Sequence, residues 1–181
     1  MFIRLKICFI FWILFSCLSF SQELVTNKQK SSISFRIKNF GFNVKGTFTN
    51  FTVKSRINLE DLKSSFFNVQ IPVKSIFTNS KSRDKHLLKP DFFDVQKHPF
   101  IVFKSSEFTS QQHNKIVIKG DLIIKGIQKK IKATINVRRT DNNTVFTTKF
   151  KLNRKDFNVG GTSLVLSNTV NVTMIYVANR N

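Results

Sequence analysis

Apolar and polar residues alternate along most of this chain with a period of two. Ile33, Phe35 and Ile37 fall on one side and Ser34, Arg36 and Lys38 on the other, as successive side chains of an extended backbone do. After a break at Asn39-Phe40-Gly41 the pattern resumes with Val44, Gly46 and Phe48. Phe67, Val69, Ile71 and Val73 then alternate with Asn68, Gln70, Pro72 and Lys74. Pro72 has no N–H to give a neighbouring strand, which predicts a bulge or a free edge there. Further strands are predicted around Ile101 and Phe103, Ile116 and Ile118, Leu122 and Ile124, Ile131 to Val137, Phe146 to Leu152, and Val170 to Tyr176. The pattern predicts an all-β chain of about eight strands.

Sustained alternation with one apolar face favours a single antiparallel sheet closed on itself, because closure removes exposed strand edges. An eight-stranded antiparallel barrel has room inside for packed side chains or one small ligand. A two-sheet sandwich has the same period and stays open as an alternative. One segment breaks the alternation. Ser82 to Pro99 follows the helix-starting residues Thr78-Asn79-Ser80, carries the Leu87-Leu88 pair, and has Pro90 where a helical turn can begin. A short helix from Lys81 to Leu88 and a turn over Pro90 to Phe93 are predicted, with Leu87, Leu88, Phe92 and Phe93 capping one end of the barrel.

The first residues read differently. Arg4 and Lys6 precede an apolar run from Ile7 to Leu18, which is followed by the small residues Ser19 and Ser21. That is the layout of a secretory signal peptide, and the run is shorter than the roughly 20 residues a membrane span needs. Residues 1–21 are therefore expected to be a signal peptide and 22–181 a single domain, periplasmic or secreted. A lipid anchor through Cys17 is the alternative, since Leu14-Phe15-Ser16-Cys17 resembles a lipoprotein cleavage box. Both cysteines, Cys8 and Cys17, precede the domain, so it is not expected to rely on disulfides.

Charge and composition narrow the function. The formal net charge is +20, which raises nucleic acid as a partner. The lysines and arginines are scattered at alternate strand positions, however, as on the wet face of a sheet. No nucleic-acid partner is expected, whereas an anionic membrane surface suits the charge. The histidines are His86, His98 and His113, and no H-E-x-x-H, C-x-x-C, G-x-S-x-G or G-x-G-x-x-G occurs. No catalytic residue, metal site or cofactor is expected. Arg83 and His86 lie three apart on the predicted helix with Asp84 between them. They can bind a polar headgroup, or the charges can form an ion pair that fastens the cap to the rim. The chain contains 21 Phe against one Tyr and one Trp; Phe adds apolar area without a polar atom to satisfy. Phe35, Phe48, Phe103, Phe146 and Phe150, with Phe92 and Phe93 of the cap, are the candidates to line or to fill the interior.

Four segments together resemble the YceI-like family. They are ISFRIKNFGFNVKGTF (Ile33 to Phe48), SRDKHLLKPDFFDVQKHPFIVFKSS (Ser82 to Ser106), KGDLIIKGIQKKI (Lys119 to Ile131) and NRKDFNV (Asn153 to Val159). They occur in the family's order, and the central run is the most specific. The resemblance implies a lipocalin-like barrel whose long apolar pocket holds a polyisoprenoid, such as an isoprenoid quinone or a prenyl phosphate. Gly160-Gly161-Thr162-Ser163 and His98 depart from the family's pattern. The function expected is non-catalytic binding, transport or sequestration of that lipid, as a monomer or a homodimer. Arg83, Lys85 and His86 are the expected polar mouth. The alternative is a basic adaptor barrel with a filled core that associates with anionic membrane or acidic partners.

Overall fold

A computed structural model describes residues 25–111 and 114–179. The expected signal segment, Cys8, Cys17 and His113 lie outside the described residues. The strands are β1 (Val25–Thr26), β2 (Ser32–Asn39), β3 (Phe42–Phe48), β4 (Thr52–Arg56), β5 (Phe66–Pro72), β6 (Ile76–Phe77), β7 (Phe100–Gln111), β8 (Lys115–Ile124), β9 (Ile127–Arg139), β10 (Asn143–Asn153) and β11 (Leu166–Asn179). One helix, α1 (Lys81–Leu87), lies between β6 and β7. All ladders are antiparallel, in one sheet of order β4-β5-β7-β8-β9-β10-β11-β2-β3-β6, with β1 added on β11. A single sheet rules out the sandwich.

The sheet has 11 strands where the alternation predicts about eight, and the causes of the additional breaks are local. Pro72 ends β5 instead of bulging it, and the 3-10 turn Val73–Ser75 separates β5 from β6. Residues 49–51 separate β3 from β4 in the same way. β4 escapes the apolar count because its buried position is Ser55, a hydroxyl. The two breaks face each other: Thr49 N donates to Ser75 O at 2.9 Å, and Ser75 Oγ donates to Asn50 O at 3.0 Å. β6 thus follows β5 closely in the chain yet pairs with β3 at the far end of the strand order. The path of strands has to curl back on itself to allow this. Its terminal strands are β4 and β6, and no ladder joins them among the described residues.

The lower end of the curled sheet is plugged. Tyr176 of β11 is 1% exposed. Its hydroxyl is 2.8 Å from Ser55 Oγ, the Phe67 ring meets it edge-on at 5.2 Å, and Phe146 stacks on it at 5.7 Å. At the upper end Ser80 caps α1 by accepting from Arg83 N. The chain then turns tightly, with Phe92 N and Asp94 N both donating to Lys89 O.

Arg154 fixes the upper rim. It starts the 3-10 turn Arg154–Phe157 after β10 and is 4% exposed. Its Nε donates to Ser167 O at 3.0 Å and its Nη2 to Leu166 O at 3.2 Å. Nη1 donates to Val159 O, Gly160 O and Gly161 O. Burial lowers its pKa from the usual value, which is high enough that the charge survives. Gly160 N in turn donates to Asp91 O at 2.8 Å, which ties this loop to the cap.

Two glycines make seats for inward rings. Gly46 faces Phe35 across the β2–β3 ladder, and a Cβ there would come within 2.2 Å of the Phe35 ring. At Gly120 a Cβ would lie 2.3 Å from Lys104 O and 2.6 Å from the Phe103 ring.

Two outcomes follow. Arg154→Ala leaves buried carbonyls without donors and is expected to lower the unfolding free energy by about 3 kcal/mol in urea denaturation, with Arg154→Lys recovering only part. Gly46→Ala should cost roughly 1–3 kcal/mol by overpacking. In a Phe35→Ala background the same change should cost almost nothing, so the double-mutant cycle reads the ring seat directly.

Candidate functional site

Between the plug and the rim the concave face is not filled. A cavity of about 660 Å³ runs through it, inside the range of about 300–1,000 Å³ that small-molecule sites occupy. Its walls are the inward positions of the alternating strands. Ile118, Leu122, Ala133 and Ile135 stand on one side, Phe35, Val172 and Met174 on another, and Leu87, Phe92 and Phe93 above. Thr148 lies in the wall, but its hydroxyl donates to Thr134 O at 2.8 Å and asks nothing of an occupant.

Polar groups gather toward the upper end, where Asn39, Ser80, Arg83, His86, Arg154 and Ser163 reach the cavity. Arg83 Nε donates to Thr78 Oγ1 at 2.8 Å and Nη2 to Thr78 O at 2.7 Å. Asp84 Oδ1 accepts from Thr78 N at 2.9 Å and from Thr78 Oγ1 at 2.5 Å. The expected ion pair at the cap is therefore replaced by a hydrogen-bonded knot with Thr78 at its centre. The ion pairs found among the described residues, Lys119–Glu107 at 3.0 Å and Lys130–Asp121 at 3.7 Å, lie on the outer face of the sheet. The knot engages two of the three guanidinium nitrogens of Arg83, a residue that also lines the cavity. The His86 ring stands edge-on to Phe92 at 4.9 Å.

Of the aromatic positions singled out in the sequence, Phe35, Phe48, Phe92, Phe93, Phe103 and Phe150 are in the wall. Phe146 is not: it points inward but belongs to the plug, stacked on Tyr176. Arg83 and His86, three apart on α1, share the face that meets the cavity, whereas Lys85 is exposed and outside the wall. That is the expected result of helical spacing, since residues two apart do not share a face. His98 packs its imidazole against the β8–β9 turn, where a Cβ on Gly126 would come within 2.7 Å of its Cε1. No three candidate metal ligands gather among the described residues. Sequence reasoning missed Phe67, Phe157 and Arg154 as lining residues. Phe157 and Arg154 lie in a 3-10 turn where no alternation exists to mark them.

In chemical terms the arrangement offers a largely apolar volume with polar side chains at one end. It can hold a chain-like apolar molecule and leave a polar terminus beside Arg83 and His86.

Comparison with known proteins agrees with this architecture. The chain is 32% identical over 117 residues to a UPF0312 protein of Photorhabdus laumondii, a match covering 64% of this chain and 60% of that relative. The chain thus spans well under two thirds of the length of the curated relatives it matches. Among solved structures, BcnA of Burkholderia cenocepacia superposes with a TM-score of 0.82 at 22% identity, covering 85% of this chain and 99% of that one. A polyisoprenoid binding domain from Saccharophagus degradans, described as implicated in plant cell wall breakdown, superposes with a TM-score of 0.68 at 13% identity, covering 88% and 98%. At these identities the two structures attest the fold. A YceI-like domain matches residues 24–178, and the chain belongs to the YceI-like family.

Proposed function

We propose that this protein is an exported, non-catalytic carrier that holds one isoprenoid lipid, a quinone or a prenyl phosphate, along the axis of its curled sheet. The observation that carries the reading is the continuous apolar cavity of about 660 Å³ with polar groups concentrated at one end. In this reading β3 with β4, and β5 with β6, act as two bent strands, so the sheet works as a closed eight-stranded barrel. Each methylene moved from water into such a wall contributes about 0.8 kcal/mol, enough for a few isoprene units to offset the ordering cost of binding. Apolar walls tolerate many chains, so selectivity falls to the mouth. There Arg83 and His86 receive the headgroup, and Lys85, outside the wall, adds only long-range attraction. The neighbour named for polyisoprenoid binding supports this class of ligand. The adaptor reading with a filled core draws no support from a sheet that leaves this volume open. Export follows from the reading of residues 1–21 as a signal peptide, with the Cys17 anchor as its variant.

The protein purified from its own host without detergent is expected to carry one prenyl-chain adduct in native mass spectrometry, identified after organic extraction. Phe103→Asp places a carboxylate in the apolar wall and should lower lipid retention about tenfold or more. Phe103→Ala, which keeps the wall apolar, should retain more lipid than the aspartate variant. A bare protein mass that stays unchanged on adding prenyl lipids sinks the proposal.

A further inference from the structure

The β2–β3 hairpin turns on Phe40 and Gly41, both with positive φ, 50° and 77°. A two-residue turn of this type favours Asn-Gly, and a bulky residue in the left-handed region is an outlier. The β8–β9 hairpin makes a similar turn with Lys125 and Gly126, at 49° and 75°. At Phe40 neither backbone preference nor burial explains the residue, because the side chain is 69% exposed and that of Phe42 is 77% exposed. Leu164 is fully exposed and Val165 partly so. These residues form one patch: Phe40 N donates to Val165 O at 2.9 Å, and Leu166 pairs with Asn39.

The patch is the outer lip of the cavity, since Asn39, Val44, Val165 and Leu166 also line the cavity itself. Cations flank it. Lys125 and Lys155 line a second, polar recess that shares Phe92, Ser163 and Leu166 with the cavity, and Lys81, Lys85 and Lys89 are exposed on the cap. Of the acids at this end, Asp84 is held by Thr78 and Asp94 is buried, leaving Asp91 and Asp156 exposed.

We infer that this lip docks on an anionic phospholipid bilayer, with Phe40, Phe42 and Leu164 entering the interface and the flanking lysines meeting the headgroups. Protruding apolar tips backed by lysines match an interface that is apolar below and negatively charged above. A few side chains on loop tips are a small area for a stable protein partner, which needs about 800 Å² on each side. Exposed apolar clusters of this kind mark interaction sites in general. The inference goes beyond the carrier reading and stands without it.

The test uses the exported chain, residues 22–181, which is free of the natural Trp12, with a single new tryptophan at either end: Phe40→Trp at the lip or Asn142→Trp in the opposite β9–β10 turn. Vesicles of phosphatidylcholine and phosphatidylglycerol with brominated acyl chains, free of isoprenoid lipid, are added. The lip tryptophan should shift to the blue and be quenched, less so at high salt, while the tryptophan at 142 stays unquenched. The double variant Phe40→Asn with Phe42→Ser should lose about tenfold or more in vesicle partition. Its thermal midpoint should not fall, because Asn-Gly suits the turn. The inference is overturned if position 40 is not quenched, if position 142 is quenched equally, or if the double variant partitions like the parent. A concentration-dependent blue shift at position 40 without vesicles also overturns it, since a second copy would then cover the patch.

Discussion

The contact between Tyr176 and the pair Ser55 and Phe67 holds the rest of the architecture in place. Tyr176 comes from β11, Ser55 from β4 and Phe67 from β5, so this contact joins strands far apart in the strand order. It brings the two halves of a sheet together where backbone hydrogen bonds alone leave the path with two ends. Antiparallel ladders fix the spacing of neighbouring strands, and the plug fixes how tightly they curl. Above the plug, the inward side chains cover the walls without filling the volume between them. The buried hydroxyl pair also has a cost if broken: Ser55 Oγ loses its partner in a buried setting, while Tyr176 keeps the longer bond from Thr26 Oγ1 at 3.4 Å.

The top of the sheet solves a different problem. Long connections cross an apolar opening there, and their carbonyl groups need donors. Arg154 supplies them from one buried side chain, and Gly160 links that loop to the cap through Asp91. The Thr78–Asp84–Arg83 knot does the same for α1. Both devices leave the rim ordered and polar while the walls below stay apolar. An elongated apolar ligand with one polar end is the molecule such a gradient suits.

Much of this was legible in the chain. The alternation at Ile33 to Ile37 and Ile131 to Val137 marks the inner face, and the helix start at Ser80 places the cap where it occurs. Period two, however, assigns a side chain to a face and not to a height along the barrel axis. Phe146 and Phe150 share a face on β10, yet one belongs to the plug and the other to the cavity. β4 was hidden because one of its two inward residues, Val53 and Ser55, is a serine, and the split of the long strand was hidden because Pro72 reads equally as a bulge or a free edge within one strand. Arg154 stood out only as part of the NRKDFNV segment, and nothing in that segment marked it as buried. A buried arginine that serves backbone carbonyls looks, in sequence, like any surface cation.

A crystal structure of the protein isolated from its host without detergent tests the central claim most directly. Continuous elongated density between Phe35 and Phe103, ending in a polar group beside Arg83 and His86, is expected. A cavity collapsed by side chains that rotate inward, or lipid found only on the outer face of the sheet, would contradict it.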